Sequence, residues 1–172
     1  MRRRVAKILI CFMTLGTSSA LQAAECRELF GTWSLNRERS KSRVPLAKRV
    51  RRYSPVSAGV KVSEIRVDEN GNRRKIEYVA KPDGKEYPVL GSSGSVQALE
   101  PTGETISWKE VAPCTVDGTA RKGGRTVYQF RRSLFEDGKI LRIEMTVLLP
   151  GSEEQSSVLI YERVPAARNP LP

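Results

Sequence analysis

"LRIEMTVLL", residues 141–149, decides the fold class. Leu141, Ile143, Met145, Val147 and Leu149 fall on one face of an extended chain, and Arg142, Glu144, Thr146 and Leu148 on the other. A period of two with one apolar face describes a half-buried β-strand. The theme recurs upstream. "TVYQFRR" (126–132) sets Tyr128 and Phe130 on one side, "ETISWKE" (104–110) does the same for Ile106 and Trp108, and "RKIEYVA" (74–80) for Ile76, Tyr78 and Ala80. "GVKVSEIRV" (59–67) alternates through Val60 and Val62 and then changes phase to Ile65 and Val67. A phase change inside a strand predicts a β-bulge. After residue 30 no stretch carries a sustained helical period. One short helix fits only at "ECRELF", residues 25–30.

Turn chemistry separates the alternating runs. "DENGN" (68–72) contains Asn70-Gly71, a strong hairpin signal, and "KPDGK" (81–85) carries Pro82-Asp83-Gly84. "GSSG" (91–94), "PTGE" (101–104), "RKGGR" (121–125), "EDGK" (136–139) and "PGSEE" (150–154) complete the series. This spacing predicts nine or ten short strands joined mostly by tight hairpins. A sheet of that size with one apolar face and no covering helix must close on itself or be sandwiched. Tight hairpins between neighbours favour closure, so the expected fold is all-β, a single up-and-down antiparallel β-barrel.

The N-terminus has a different character. "MRRRVAK" is basic, "ILICFMTLGTSSAL" is apolar and then small, and "QAAEC" offers small residues for cleavage near Ala23 or Ala24. This is the order of a secretory signal peptide, expected over residues 1–23. The apolar run Ile8–Leu15 is about half the length a membrane-spanning helix needs, which disfavours a retained anchor. A periplasmic or secreted location follows. Removing residues 1–23 of 172 leaves 149, enough for one domain over 24–172, with the barrel at about 29–164 and a flexible tail at 165–172. The cut removes four basic residues and no acidic one, so the excess of 30 Lys and Arg over 19 Asp and Glu becomes 26 over 19. The mature chain is basic, but not to the degree of a dedicated nucleic-acid binder. Cys11 leaves with the leader. Cys26 and Cys114 remain, and an even pair in an exported chain reads as a disulfide, the alternative being two free buried thiols.

Gly31-Thr32-Trp33 at the start of this meander, and Arg163 near the end of the last strand in "VLIYERV", together resemble the lipocalin-like barrels. "GVKVSEIRVDENGNRRKIEYVAKPDGKEYPVLG" and "FEDGKILRIEMTV" are similar to small exported bacterial proteins of that type. The Thr-Asp-Tyr loop motif of typical lipocalins is missing. The resemblance implies that Gly31 lets the chain bend, Trp33 covers one barrel end, and a late arginine stacks on its ring. Arg163 is the candidate, with Arg131 or Arg132 behind it.

Candidate chemistry is sparse. The chain has no histidine, so no conventional Ser-His-Asp or Cys-His arrangement is available. Two cysteines alone make a poor zinc cage, so no metal or other cofactor is expected. "KGGRT" and "GSSGS" do not match phosphate-loop spacing. Glu64, Asp68, Glu69, Glu77 and Glu86 read as a solvated face. The expected function is non-catalytic binding of a small hydrophobic or amphipathic ligand inside the barrel, by a monomer. The pocket candidates are the inward members of the strands: Ile76, Tyr78, Trp108, Tyr128, Phe130, Ile143 and Met145. Alternatively these side chains simply fill a small barrel. Residues 37–52, "RERSKSRVPLAKRVRR", form the strongest charge run. Read as a first loop over the open mouth, it offers Arg43, Lys48, Arg49, Arg51 and Arg52 to an anionic membrane surface or partner, the second functional expectation; the alternatives are a solvated loop that only aids solubility, or arginines alternating with Val50 and Tyr53 on the outer face of a strand. Aromatic interleaving is slight there, which argues against nucleic acid.

Overall fold

The computed structural model describes residues 26–43, 48–93, 98–148, 151 and 153–165. The signal peptide expected at 1–23 and most of the tail expected at 165–172 lie outside these residues. A 3₁₀ turn, Arg27–Leu29, precedes ten strands: β1 (Gly31–Lys41), β2 (Lys48–Val56), β3 (Gly59–Val67), β4 (Arg73–Ala80), β5 (Asp83–Ser93), β6 (Glu100–Ala112), β7 (Thr115–Lys122), β8 (Arg125–Phe135), β9 (Ile140–Val147) and β10 (Gln155–Arg163). Each strand pairs antiparallel with its sequence neighbours, and β1 pairs with both β2 and β10, so the sheet closes into an up-and-down barrel. Closure removes the free sheet edges that an open meander would expose.

Alternation sorts the side chains. Leu141 and Ile143 of β9 face inward, as do Leu159 and Tyr161 of β10, and all four are buried. In such a barrel alternate connections fall at alternate ends. The 3₁₀ turn therefore shares one end with the β2–β3, β4–β5, β6–β7 and β8–β9 turns. Cys26 and Cys114 are bridged there, with Cα atoms 5.1 Å apart, which ties the segment before β1 to the β6–β7 turn.

Three local readings of the sequence are corrected. First, β3 carries no bulge: its register runs unbroken against β2 from Val67 to Gly59 and against β4 from Val60 to Val67. The apparent phase change arises because Glu64 points inward where an apolar residue was looked for, while Ile65 packs on the outer side beside Val50. Second, "PTGE" lies within β6 rather than in a turn; Gly103 takes φ +72° inside that strand. A turn that the sequence reading did not name joins β6 to β7 at Pro113-Cys114, with Cys114 at φ +55°. Third, the basic run at 37–52 is mostly strand, ending β1 and opening β2. Residues 44–47 lie outside the described part.

Candidate functional site

At the end carrying the 3₁₀ turn, Gly31, Trp33 and Arg163 form one unit. Trp33 is fully buried and donates from Nε1 to the Leu29 carbonyl at 2.9 Å. The Arg163 guanidinium carbon lies 4.5 Å from the centroid of the Trp33 ring. Its nitrogens donate to the carbonyls of Phe30 (2.9 Å), Gly138 (3.0 Å) and Glu28. One side chain thus clasps the 3₁₀ turn and the β8–β9 turn over the tryptophan. Gly31 adopts φ +139°, and a Cβ there would meet Arg163 Nη1 at 2.7 Å, so both backbone and space call for glycine. Of the arginines placed behind Arg163 by the sequence, Arg131 faces out and pairs with Asp117, and Arg132 faces in elsewhere.

The plug does not fill the whole of this end. Beside it, between the 3₁₀ turn and the β2–β3, β4–β5 and β6–β7 rims, opens a pocket of about 810 Å³. Leu29, Phe30, Val56, Val60 and Val116 supply apolar walls; Trp108 and Arg132 lie in its lining, and Arg27, Lys81, Asp83 and Glu110 add charge. Such a size suits a small organic molecule, since ligand pockets run to roughly 300–1,000 Å³. The Arg132 guanidinium lies 4.7 Å from the Trp108 ring and 5.0 Å from the Tyr53 ring.

Toward the opposite end the interior is charged. Glu64, 2% exposed, is bracketed by Arg51 and Arg66, and both form ion pairs with it. Arg51 also donates to the Tyr53 hydroxyl at 3.2 Å and lies over the Tyr161 ring at 5.6 Å. Burial alone would raise the Glu64 carboxyl, but Arg51, Arg66 and Arg49 more than reverse this and hold it well below the usual carboxylate range. Burial opposes charge on Arg51 too, and Glu64 overrides it, keeping the guanidinium above its ordinary value. Buried Tyr78 and Tyr161 are pushed upward by loss of solvent and stay neutral.

The side chains expected to line a pocket lie mostly in the packed interior. Tyr78, Trp108, Phe130 and Ile143 are buried in the core; Ile76, Tyr128 and Met145 pack against it, partly exposed. Tyr78 meets Trp108 edge-on at 5.7 Å, and Tyr128 lies 6.2 Å from Phe130. Of these seven, Trp108 alone reaches the pocket. The sequence reading held Arg132 only as a reserve partner for Trp33 and missed it as pocket lining, although its position two residues after Phe130 was the available signal: it continues the inward series Tyr128, Phe130, Arg132. It also missed Leu29 and Phe30, whose inward placement depends on the 3₁₀ turn.

The basic run is split by the pleat. Arg49 and Arg51 face the interior, Arg52 faces out, and Arg43 and Lys48 are exposed at its margins. On the outside, a shallow groove of about 280 Å³ gathers Arg52 with Lys61, Arg73 and Lys75. Lys61 and Lys75 both pair with Glu77, at 3.1 and 3.0 Å. Cys26, Glu28 and Cys114 converge, but both sulfurs are spent in the disulfide.

Compared with known proteins, the chain matches no protein-family model, and no curated protein gives a match.

Proposed function

We propose that this chain is an exported, non-catalytic barrel that binds a small apolar or amphipathic molecule in the pocket beside the Trp33 plug. One observation carries the reading: an opening of about 810 Å³, walled by Leu29, Phe30, Val56, Val60 and Val116, that reaches down to Trp108 and Arg132. Val56 remains an exposed large apolar side chain at its rim, a surface that a ligand would cover. The Cys26–Cys114 bridge supports an oxidising compartment, and with the leader pattern at 1–23 it favours the periplasm or the exterior. The test is native mass spectrometry of the protein purified from its own cell envelope. A discrete small-molecule adduct that a bulky Val60→Trp change removes supports the reading. Bare chain alone, with no thermal shift from added amphiphiles, would sink it.

The outer groove favours a second reading, contact with an anionic surface. Arg52 and Arg73 face solvent there, and the mature chain keeps a positive excess. The double change Arg52→Ser, Arg73→Ser should weaken binding to anionic vesicles by something like 1 kcal/mol per charge. Equal binding by both proteins at low salt would remove this reading.

A further inference from the structure

We infer that the pocket takes a monoanionic amphiphile, a carboxylate on an apolar body, and that Arg132 receives its head group. The inference rests on the binding reading above and names the ligand class for the same site. Arg132 projects inward from β8, is 5% exposed, and forms part of the pocket wall. Tyr53 and Trp108 engage its guanidinium through their rings. Contact with the rings does not satisfy the N–H donors, which lie in the guanidinium plane and are still to be met. Nε and Nη1 are buried and find no acceptor among the described residues. Two other interior arginines, Arg51 and Arg66, share the carboxylate of Glu64, and inward-facing Arg49 has a single buried donor, Nε, without an acceptor, where Arg132 has two. No described acid forms an ion pair with Arg132. A buried cation over two rings, with in-plane donors unmet in the lining of an apolar-walled opening, is set to receive an anionic head group.

Charge count selects the carboxylate. One buried guanidinium balances one negative charge. A phosphate monoester carries nearly two at neutral pH, whereas the lining as a whole sets Arg27, Lys81 and Arg132 against Asp83 and Glu110, an excess of one positive charge. The walls above Arg132 are Leu29, Val60 and Val116, which suit a hydrocarbon body.

The experiment compares dodecanoate with dodecanol on the oxidised protein by calorimetry and thermal shift. Wild type should bind dodecanoate about tenfold or more tightly than dodecanol, the worth of a hydrogen bond to a charged group. Arg132→Met should abolish that preference while dodecanol binding persists. A preference unchanged in Arg132→Met overturns the assignment. Equal binding of both probes by wild type overturns it as well, yet leaves the pocket reading standing. Binding of neither probe overturns both readings. Dodecyl phosphate binding more tightly than dodecanoate overturns the carboxylate class. Should Arg132→Met fail to fold, Arg132→Lys replaces it: losing the planar fork should weaken the preference, and an unchanged preference counts against the inference.

Discussion

Arg163 stacks on Trp33 at 4.5 Å while its nitrogens hold the carbonyls of Glu28, Phe30 and Gly138. The first and last strands are thereby locked through one aromatic ring, next to the backbone pairing Trp33↔Arg163. Trp33→Ala should cost about 3–5 kcal/mol, the usual loss for a large buried aromatic. Arg163→Met should cost less, because its aliphatic chain still covers the ring. Chemical denaturation measures both. The pocket lies beside the plug rather than beneath it, so amphiphile affinity in the folded fraction should stay nearly constant. Intact stability with lost binding would move Trp33 from plug to pocket.

The Cys26–Cys114 bridge closes a loop with a sequence separation of 88. Chain-entropy arguments assign such a loop on the order of 4–5 kcal/mol. Thiol labelling of the unfolded, unreduced protein should find neither Cys26 nor Cys114 reactive. Cys26→Ser with Cys114→Ser should lower the midpoint of unfolding markedly. It should also loosen the pocket, because the bridge fixes the 3₁₀ turn that carries Leu29 and Phe30 to the β6–β7 rim. A doubly substituted protein of unchanged stability would contradict this account.

The strand with clean alternation, β9 above all, was legible because its inward positions Leu141, Ile143, Met145 and Val147 are apolar and its outward ones tolerate water. Trp33 and Arg163 were legible because a Gly-x-Trp start and a late arginine are a recognisable pair. What stayed hidden is the charged interior. Arg49, Arg51, Glu64 and Arg66 occupy inward positions where pattern reading looks for apolar side chains, so β2 read as a loop and β3 as bulged. Nothing local in "KRVRRY" or "VSEIRV" announces that Arg51 will meet Glu64 across β2 and β3, although Arg51↔Glu64 is a register pair. Arg132 was hidden for the same reason: an arginine after Phe130 looks like an outer charge until the pleat is followed through it.

Gly118 offers a separate check on packing. It faces Phe130 across the β7–β8 ladder, and a Cβ at Gly118 would land on the Phe130 ring. No flexible group is available to yield, because the ring itself is buried. Gly118→Ala should therefore destabilise by about 1–3 kcal/mol through overpacking. Phe130→Leu in the same chain should recover part of that loss, a coupling that a double-mutant cycle measures. Additive losses would mean that the two side chains do not compete for this space.

The acid limb of stability should belong largely to Glu64. Desolvation disfavours its charge, but Arg51, Arg66 and Arg49 override that, so its folded-state value lies well below the unfolded value of about 4.3. A depressed carboxyl contributes stability that is fully present above the unfolded value. That stability is lost as pH falls from about 5 toward the folded value, because protonation then favours the unfolded chain. Wild type should accordingly lose stability steeply below about pH 4. Glu64→Gln removes the titrating charge and leaves Arg51 and Arg66 facing each other in the interior. It should cost about 3–5 kcal/mol near neutrality, the cost of breaking a buried pair from one side. Its stability should then vary much less between about pH 5 and pH 2. Denaturation midpoints for the two proteins across this range decide the matter. Parallel acid limbs would show that other carboxylates, such as the half-buried Asp117 paired with Arg131, govern acid unfolding instead.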